Sequence, residues 1–271
     1  MLREITIGQY FPGDSVIHKL DARTKILLTI GFIVALFLAK NPVGMAAGVL
    51  FTLAGYLLSG VPIRLALKSV KPVVPIIIFT AILNILFTKG DTVLFTVGPV
   101  SVTQQGLLLA ALMIVRILCL IVGSSLLTYT TSPIELTDAI ESLLGPFKKV
   151  HLPVHELAMM MTIALHFIPL LIEETDKIMS AQKARGADMD SGGLLQRAKA
   201  LIPVLVPLFV SSFRRADELA LAMECRCYHG DEGRTRMKQL RYETRDYLAF
   251  ALLLALIALV VLLNRIFPSV Y

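Results

Sequence analysis

The sequence has no tryptophan and only three cysteines in its 271 residues. Anchoring at a membrane surface would therefore depend on tyrosine, lysine and arginine. Cys119 lies inside an apolar block, and Cys225 and Cys227 are separated by one residue, so nothing indicates the disulfide framework of a secreted domain. The N-terminal segment has no apolar stretch that leads to a small-residue cleavage site, and we expect no signal peptide.

Several catalytic motifs are also missing from the sequence. It contains no phosphate-binding Gly-x-x-x-x-Gly-Lys-Ser/Thr loop, so any ATP that drives the protein must be bound by another chain. Gly-x-Ser-x-Gly and His-Glu-x-x-His are absent as well, although His155 and Glu156 are adjacent. Cys225, Cys227 and His229 resemble part of a zinc site, but no second ligand pair has the expected spacing. We therefore expect no metal site, no cofactor and no enzymatic activity.

Hydrophobic residues make up 56% of the chain, and they are concentrated in blocks. Such blocks predict an all-α integral membrane protein with about five transmembrane helices. The first two blocks are shorter than the ~20 residues that cross a bilayer upright, so they are two short spans or a tight hairpin. The predicted spans are residues 26–39, 43–59, 73–87, 106–127 and 247–263.

Charge is concentrated in residues 129–246, which contain 15 of the 26 basic and 16 of the 20 acidic residues. We expect a helical cytoplasmic domain here, between an N-terminal membrane domain (1–128) and a C-terminal transmembrane segment (247–271). Two apolar stretches, Leu157–Ile172 and Ala200–Phe213, lie inside this domain. The segment between them carries five basic residues, which argues against its translocation and keeps both stretches on the cytoplasmic side.

The short loops predict the orientation of the chain. The loop after the second block carries Arg64, Lys68 and Lys71, whereas the loop after the third carries only Lys89. Because basic residues favour the cytoplasm, the N-terminus and residues 129–246 are expected inside a prokaryotic cell membrane. The net charge of +6 then reflects cytoplasmic lysine and arginine rather than nucleic-acid binding.

Two polar residues lie within the apolar blocks. Arg116 is near the middle of the fourth block, where a charge costs ~2.5–3.5 kcal/mol. It either faces the protein interior and is paired there, or it reaches the interface from a tilted helix. Asn84, in the third block, is a candidate partner.

The charged domain contains an internal repeat at an offset of 41 residues. Asp176 precedes Arg185 by nine positions, and Asp217 precedes Arg226 by the same number. Both arginines are followed by polar, glycine-containing sequence, so two helices are predicted to end in arginine. The helix dipole alone favours a cation there, but the duplication also suits a partner with two equivalent binding sites.

Six segments in this order resemble the transmembrane T component (EcfT family) of energy-coupling factor transporters. They are Thr130–Leu136, Leu152–Leu157, Ala164–Glu174, Ala181–Asp188, Ala222–Tyr228 and Gly233–Met237. The resemblance covers about residues 10–265 and is most specific in 130–236. The N-terminal spans resemble the family only in layout.

The resemblance implies a non-catalytic coupling subunit of an ATP-driven importer of vitamins or other micronutrients. Its partners would be two ABC ATPase subunits of the EcfA type, a substrate-binding S component and membrane lipid. Each ATPase would receive one arginine-centred tripeptide. By resemblance these residues are Ala184, Arg185 and Gly186, with Asp188 following, and Cys225, Arg226 and Cys227. The second tripeptide departs from Ala-Arg-Gly at its first and third positions.

Two other functions are compatible with parts of the sequence. A membrane-embedded enzyme would use Arg116 or the histidine and glutamate residues, and it would turn over substrate without partners. A self-contained transporter usually has inverted repeats among its spans. Repetition occurs here only in the charged domain, which counts against the transporter.

Overall fold

The computed structural model describes residues 10–88, 93–97, 100–146, 153–187, 193–230 and 240–267. Nine α-helices are present in these segments: α1 (Ala22–Leu38), α2 (Pro42–Ser59), α3 (Ile63–Val70), α4 (Val74–Phe87), α5 (Gln104–Thr130), α6 (Pro133–Leu144), α7 (Val154–Ala184), α8 (Leu194–Cys225) and α9 (Thr244–Ile266). A short 3₁₀ turn, Lys71–Val73, joins α3 to α4. The prediction of a helical membrane protein is confirmed.

Five helices in the described residues are long and apolar enough to cross a membrane: Pro42–Ser59, Ile63–Phe87, Gln104–Thr130, Val154–Ala184 and Thr244–Ile266. Four of them contain predicted spans. The remaining predicted span, residues 26–39, corresponds to α1, which is shorter at 17 residues. Helix α7 qualifies by length and composition although we expected it on the cytoplasmic side. The division into three domains and the side of α7 remain predictions.

A small β-hairpin, which the sequence analysis did not predict, precedes α5. Strand β1 (Val93–Val97) pairs antiparallel with β2 (Val100–Thr103). The hydroxyl of Thr103 accepts a hydrogen bond from the Gly106 amide at 3.1 Å and so caps the start of α5. It also donates to the Thr88 carbonyl at 3.0 Å, which fixes the end of α4 beside the start of α5.

The chain divides into two compact units. One is built from α1 to α5 and α9, and the other from α7 and α8; the residues of α6 are divided between them. In the first unit, α1 supplies Phe32, Ala35 and Leu36 to an apolar core with α2, α5 and α9. A Cβ added to Gly123 of α5 would lie 2.4 Å from the Phe32 ring, so glycine is required for this close approach.

At one end of this unit, hydrogen bonds connect the N-terminal ends of α1 and α9 and the C-terminal end of α5. The Lys25 ammonium donates to the Thr130 carbonyl at 2.8 Å. The Asp21 amide donates to an oxygen of Asp246, 3.0 Å away. This end is called the Asp21 face below. The loop after α2 lies at the same end, because Tyr56 is 2.7 Å from Ser125, near the end of α5.

The opposite end is called the Asn41 face. Asn41, which precedes α2, donates to the carbonyls of Leu263 and Phe267 at the end of α9. The Asn264 amide donates to the Leu38 carbonyl at 2.6 Å. Helices α1 and α9 are therefore parallel to each other, and α5 is antiparallel to both.

Candidate functional site

The end of α7 has a defined hydrogen-bonding pattern. The Gly186 amide donates to the Lys183 carbonyl, and the Ala187 amide donates to the Gln182 carbonyl, both at 3.0 Å. Gly186 adopts a left-handed conformation, with φ of 89°. These two bonds and the left-handed residue form a Schellman motif, which satisfies the last carbonyls of the helix. Arg185 is the C-cap residue, with φ of −83° and ψ of 3°.

The end of α8 repeats this motif 41 residues later. The Cys227 amide donates to the Glu224 carbonyl at 2.9 Å, and the Tyr228 amide donates to Met223 at 3.1 Å. Arg226 is the C-cap, with φ of −92° and ψ of 13°. The repeat in the sequence therefore corresponds to the same backbone geometry at two helix ends.

Cys227 has the left-handed conformation that Gly186 has in the first motif, with φ of 54°. It is the only residue other than glycine with positive φ in the part of the chain described. Left-handed backbone costs an L-residue about 1–2 kcal/mol, so α8 keeps the motif without the residue best suited to it. The departure of Cys227 from the Ala-Arg-Gly pattern leaves the turn unchanged.

Both arginine side chains are exposed, as are the flanking residues Ala184, Gly186, Cys225 and Cys227. Neither Arg185 nor Arg226 is in an ion pair within the described segments. A guanidinium at this position offers a planar fork of donors that suits a carboxylate. Asp188, the remaining predicted site residue of the first motif, lies outside the described residues.

Helices α7 and α8 pack as an antiparallel pair. Glu174 of α7 accepts hydrogen bonds from Ser211, at 2.8 Å, and from Arg215 of α8. Further along α7, the Gln182 amide donates to the Pro203 carbonyl at 3.2 Å. Residue numbers of the contacting positions rise along α7 and fall along α8, so the two helices are antiparallel.

The antiparallel packing separates the two arginines. Arg185 lies three residues beyond Gln182 and is therefore level with about residue 200 of α8. Arg226 lies about 26 residues beyond that level. At 1.5 Å per residue the two helix ends are about 39 Å apart along the pair. The unit thus presents two equivalent motifs at well-separated points.

Arg116 and Asn84, the two polar residues predicted inside the membrane, have different hydrogen-bond partners. Arg116 is buried and donates to the Ala39 carbonyl at 2.6 Å, at the C-terminal end of α1. A cation is favourable at that position because it complements the helix dipole. Asn84 instead donates to the Thr80 carbonyl of its own helix at 2.9 Å.

Arg116 lies near the middle of the fourth apolar block in the sequence, but in the structure it is beside the end of a neighbouring helix. Because α1 ends at Leu38, Arg116 lies level with the polar turn that contains Lys40 and Asn41. Residues 104–116 of α5 extend beyond this level by about 18 Å along the helix axis. Arg116 thus lies in the middle of α5 but beside the C-terminal end of α1.

Sequence reasoning missed the polar cluster at the Asp21 face. Asp246 is 2% exposed, and its carboxylate accepts from the amides of both Asp21 and Glu243. Lys25, 4% exposed, donates to His18 as well as to Thr130. Two features of the sequence could have indicated this cluster. Glu243 and Asp246 have the spacing of a capping box before the apolar run of α9, and Lys25 directly precedes the apolar run of α1.

His155 and Glu141 are also paired. The Nδ1 atom of His155 lies 3.1 Å from a carboxylate oxygen of Glu141, and both side chains are mostly buried. The contact joins the beginning of α7 to α6. The contact gives His155 a structural role, whereas the membrane-enzyme alternative would have given it a catalytic one.

Comparison with known proteins then identifies the family. The family model described as cobalt transport protein (CbiQ) matches residues 13–237, a range that includes both arginine-ended helices. A protein of Thermosediminibacter oceani named energy-coupling factor transporter transmembrane protein EcfT is 57% identical over 249 residues, which are 92% of this chain and 94% of the relative. The chain belongs to the EcfT family.

Two further EcfT proteins cover this chain almost completely. The protein of Ruminiclostridium cellulolyticum is 52% identical over 98% of this chain and 100% of its own length. The protein of Clostridium kluyveri is 55% identical over 97% of both chains. The chain is thus a multi-pass transmembrane component of an energy-coupling factor transporter, and the resemblance drawn from residues 130–236 is confirmed.

Proposed function

We propose that this EcfT chain is the non-catalytic subunit that couples two ABC ATPases of the EcfA type to a substrate-binding S component. The complex would import vitamins or other micronutrients across a prokaryotic cell membrane. Closure of the ATPases would move α7 and α8, and these would act on the membrane helices that tilt or release the S component. The absence of a phosphate-binding loop from the sequence is consistent with ATP hydrolysis on the partner subunits.

The observation that carries this proposal is the pair of equivalent arginine ends. Arg185 and Arg226 cap their helices with the same Schellman geometry, are exposed, and lie about 39 Å apart. Two copies of one motif, so separated, match two ATPase subunits that each offer one equivalent groove. A carboxylate in each groove would pair with the guanidinium in a bidentate and oriented manner.

The Asp21 face supports a cytoplasmic position for the segment between α5 and α9. Helix α5 ends and α9 begins at this same face, since Lys25 contacts Thr130 and Asp21 contacts Asp246. A segment that leaves and returns at one face crosses the membrane an even number of times. A single crossing by α7 is therefore disfavoured, and two crossings would translocate the basic segment around Arg185.

The distribution of basic residues favours the Asp21 face as the cytoplasmic one. The described cations at or beside this face are Lys19, Arg23, Lys25, Arg64, Lys68, Lys71, Arg241 and Arg245. Those at the Asn41 face are Lys40, Arg116 and Arg265. Because the cytoplasmic side of a membrane protein carries the excess of lysine and arginine, the N-terminus would also be cytoplasmic.

The proposal is tested with Arg185→Ala, Arg226→Ala and the double variant, co-expressed with the ATPases and an S component. We expect each single variant to weaken ATPase binding by about 2–5 kcal/mol, the cost of truncating one partner of a buried interfacial pair. ATP-driven uptake should fall with co-purification. Arg214→Ala, which removes an exposed arginine from the middle of α8, is the matched control. Full assembly and uptake by the double variant would overturn the proposal.

A further inference from the structure

Helix α3 has three distinct faces, although it is only 8 residues long. One face is fixed to α5: the Tyr129 hydroxyl donates to the Leu65 carbonyl at 3.0 Å and lies 2.7 Å from the Ser69 hydroxyl. Ala66, between them, is buried. The helix is therefore held in one orientation by its buried face, and the other two faces point away from α5.

The two outward faces differ in chemistry. Ile63 and Leu67, one turn apart, are 61% and 65% exposed. The other face carries the exposed cations Arg64 and Lys68, and about one turn further on lies the exposed Lys71, the first residue of the 3₁₀ turn. Side chains three and four residues apart lie on the same side of a helix, so an apolar stripe and a basic stripe run next to each other.

The basic stripe has no acidic counterpart nearby in the chain. No aspartate or glutamate occurs between Asp21 and Asp91 in the sequence. None of these three cations is in an ion pair among the residues that the structure describes. A fixed patch of three positive charges is therefore available for an anionic partner.

Helix length places this patch at a membrane surface. The apolar segment Ile63–Phe87 has 25 residues, which correspond to about 37 Å of helix. A bilayer hydrocarbon core is about 30 Å thick, so about five residues extend into the headgroup region. The charged residues of this segment, Arg64, Lys68 and Lys71, all lie within its first nine positions, so the surplus falls on α3. Ile63 and Leu67 would then enter the acyl boundary while the cations remain at the headgroups.

We propose that α3 is a binding site for anionic phospholipid, with Arg64, Lys68 and Lys71 on the phosphates and Ile63 and Leu67 among the acyl chains. The exposed apolar stripe beside the cations favours a lipid over an acidic protein, because a headgroup and its acyl chain satisfy both stripes together. The inference rests on the insertion of the chain in a membrane and is independent of the ATPase assignment.

The lack of tryptophan in the chain makes a sharp test possible. Leu67→Trp introduces a single tryptophan, which can be excited selectively over the tyrosines, on the apolar stripe of the full-length chain. Its quenching by brominated phosphatidylglycerol is compared with its quenching by brominated phosphatidylcholine in vesicles of matched composition. Phe37→Trp, a probe at a 62% exposed position of α1 near the Asn41 face, is the matched control.

We expect the Leu67→Trp probe to prefer phosphatidylglycerol by at least tenfold, since each cation near an anionic surface contributes about fivefold. The triple variant R64Q/K68Q/K71Q should reduce the preference to about one. The charge-matched variant K19Q/K40Q/R265Q should retain it, and R64Q/K68Q/K71Q should leave the lipid preference of the Phe37→Trp probe unchanged. Unchanged quenching by phosphatidylcholine in the triple variant will show that the helix is still in place.

Three results would overturn the inference. The first is equal quenching by both lipids in the parent chain, and the second is a preference that survives R64Q/K68Q/K71Q. The third is full competition by inorganic phosphate, which would assign the patch to a soluble anion. If R64Q/K68Q/K71Q lost ATPase assembly with its lipid preference intact, the patch would belong to an acidic protein instead. The lipid assay contains no ATPase, so its outcome does not depend on the proposed coupling function.

Discussion

Gln182 of α7 donates its side-chain amide to the main-chain carbonyl of Pro203 in α8. In a regular helix that carbonyl would accept from residue 207, but Pro207 has no amide hydrogen. A proline in one helix thus creates the acceptor that a side chain of the other helix uses. This bond lies three residues from Arg185 and helps to set the register of the two arginine-ended helices.

A double-mutant cycle between Gln182 and Pro207 tests this relationship. Gln182→Leu should lower the free energy of unfolding of the α7–α8 unit by about 0.5–1 kcal/mol, because the Pro203 carbonyl loses its donor. In a Pro207→Ala background the helix supplies its own donor, so Gln182→Leu should have almost no effect. Urea unfolding of the chain in detergent micelles provides the measurement. Equal effects of Gln182→Leu in both backgrounds would contradict the proposed role of Pro207.

Position 227 offers a second prediction, because its left-handed backbone favours glycine. Cys227→Gly should remove the cost of about 1–2 kcal/mol that left-handed backbone imposes on an L-residue, and it should bind the ATPases at least as well as the parent chain. Cys227→Val, with a β-branched side chain, should lower local stability further and weaken assembly. Gly186→Val at the equivalent place in the first motif should have a larger effect, because glycine does not already carry the cost of left-handed backbone. Circular dichroism and co-purification with the ATPases report the two consequences. A Cys227→Val chain that assembles normally would show that the turn is not required.

Asp246 should be the most sensitive residue of the Asp21 face. Its carboxylate accepts from the amides of Glu243 and Asp21, so it caps α9 and fixes α1 beside it. Asp246→Ala should destabilise the chain by about 2–4 kcal/mol, the combined cost of a lost cap and an unsatisfied buried amide. Asp246→Asn keeps an acceptor and should cost less. Thermal unfolding followed at 222 nm gives the values, with the exposed Asp217→Ala as control; equal melting of all three variants would refute this role.

The separation of the arginines can be measured directly. Spin labels attached to Arg185→Cys and Arg226→Cys should lie about 39 Å apart, which is the distance along the antiparallel pair. The background would be C119A/C225A/C227G, which removes the three native thiols and keeps the left-handed turn. A distance below about 20 Å would mean that α7 and α8 do not pack as described.

Many of the helices could be predicted from local patterns in the sequence. The apolar blocks predicted the helices that contain four of the five candidate spans, and the 41-residue repeat predicted two helices that end at Arg185 and Arg226. These features depend on periodicity and composition over a few turns, which a single sequence records well. The hairpin before α5 was missed because its strands are only four and five residues long.

Long-range packing could not be obtained in this way. Lys25 contacts Thr130, and Asp21 contacts Asp246, across more than 100 residues of sequence, so no local pattern links them. The depth of Arg116 was misleading for the same reason: its position in α5 is central, but the neighbouring α1 is short. The pairing of Gln182 with Pro203 follows from Pro207 only once α7 and α8 are known to be adjacent.

The most direct test of the coupling account is the sidedness of the two arginine-ended helices. Arg185→Cys and Arg226→Cys, each in the C119A/C225A/C227G background, would be labelled with a membrane-impermeant thiol reagent in intact cells and in inverted membrane vesicles. The account predicts that both positions react in inverted vesicles and that neither reacts in intact cells. If the two positions reacted from opposite sides, or both reacted from outside, two cytoplasmic ATPases could not bind them and the account would be wrong.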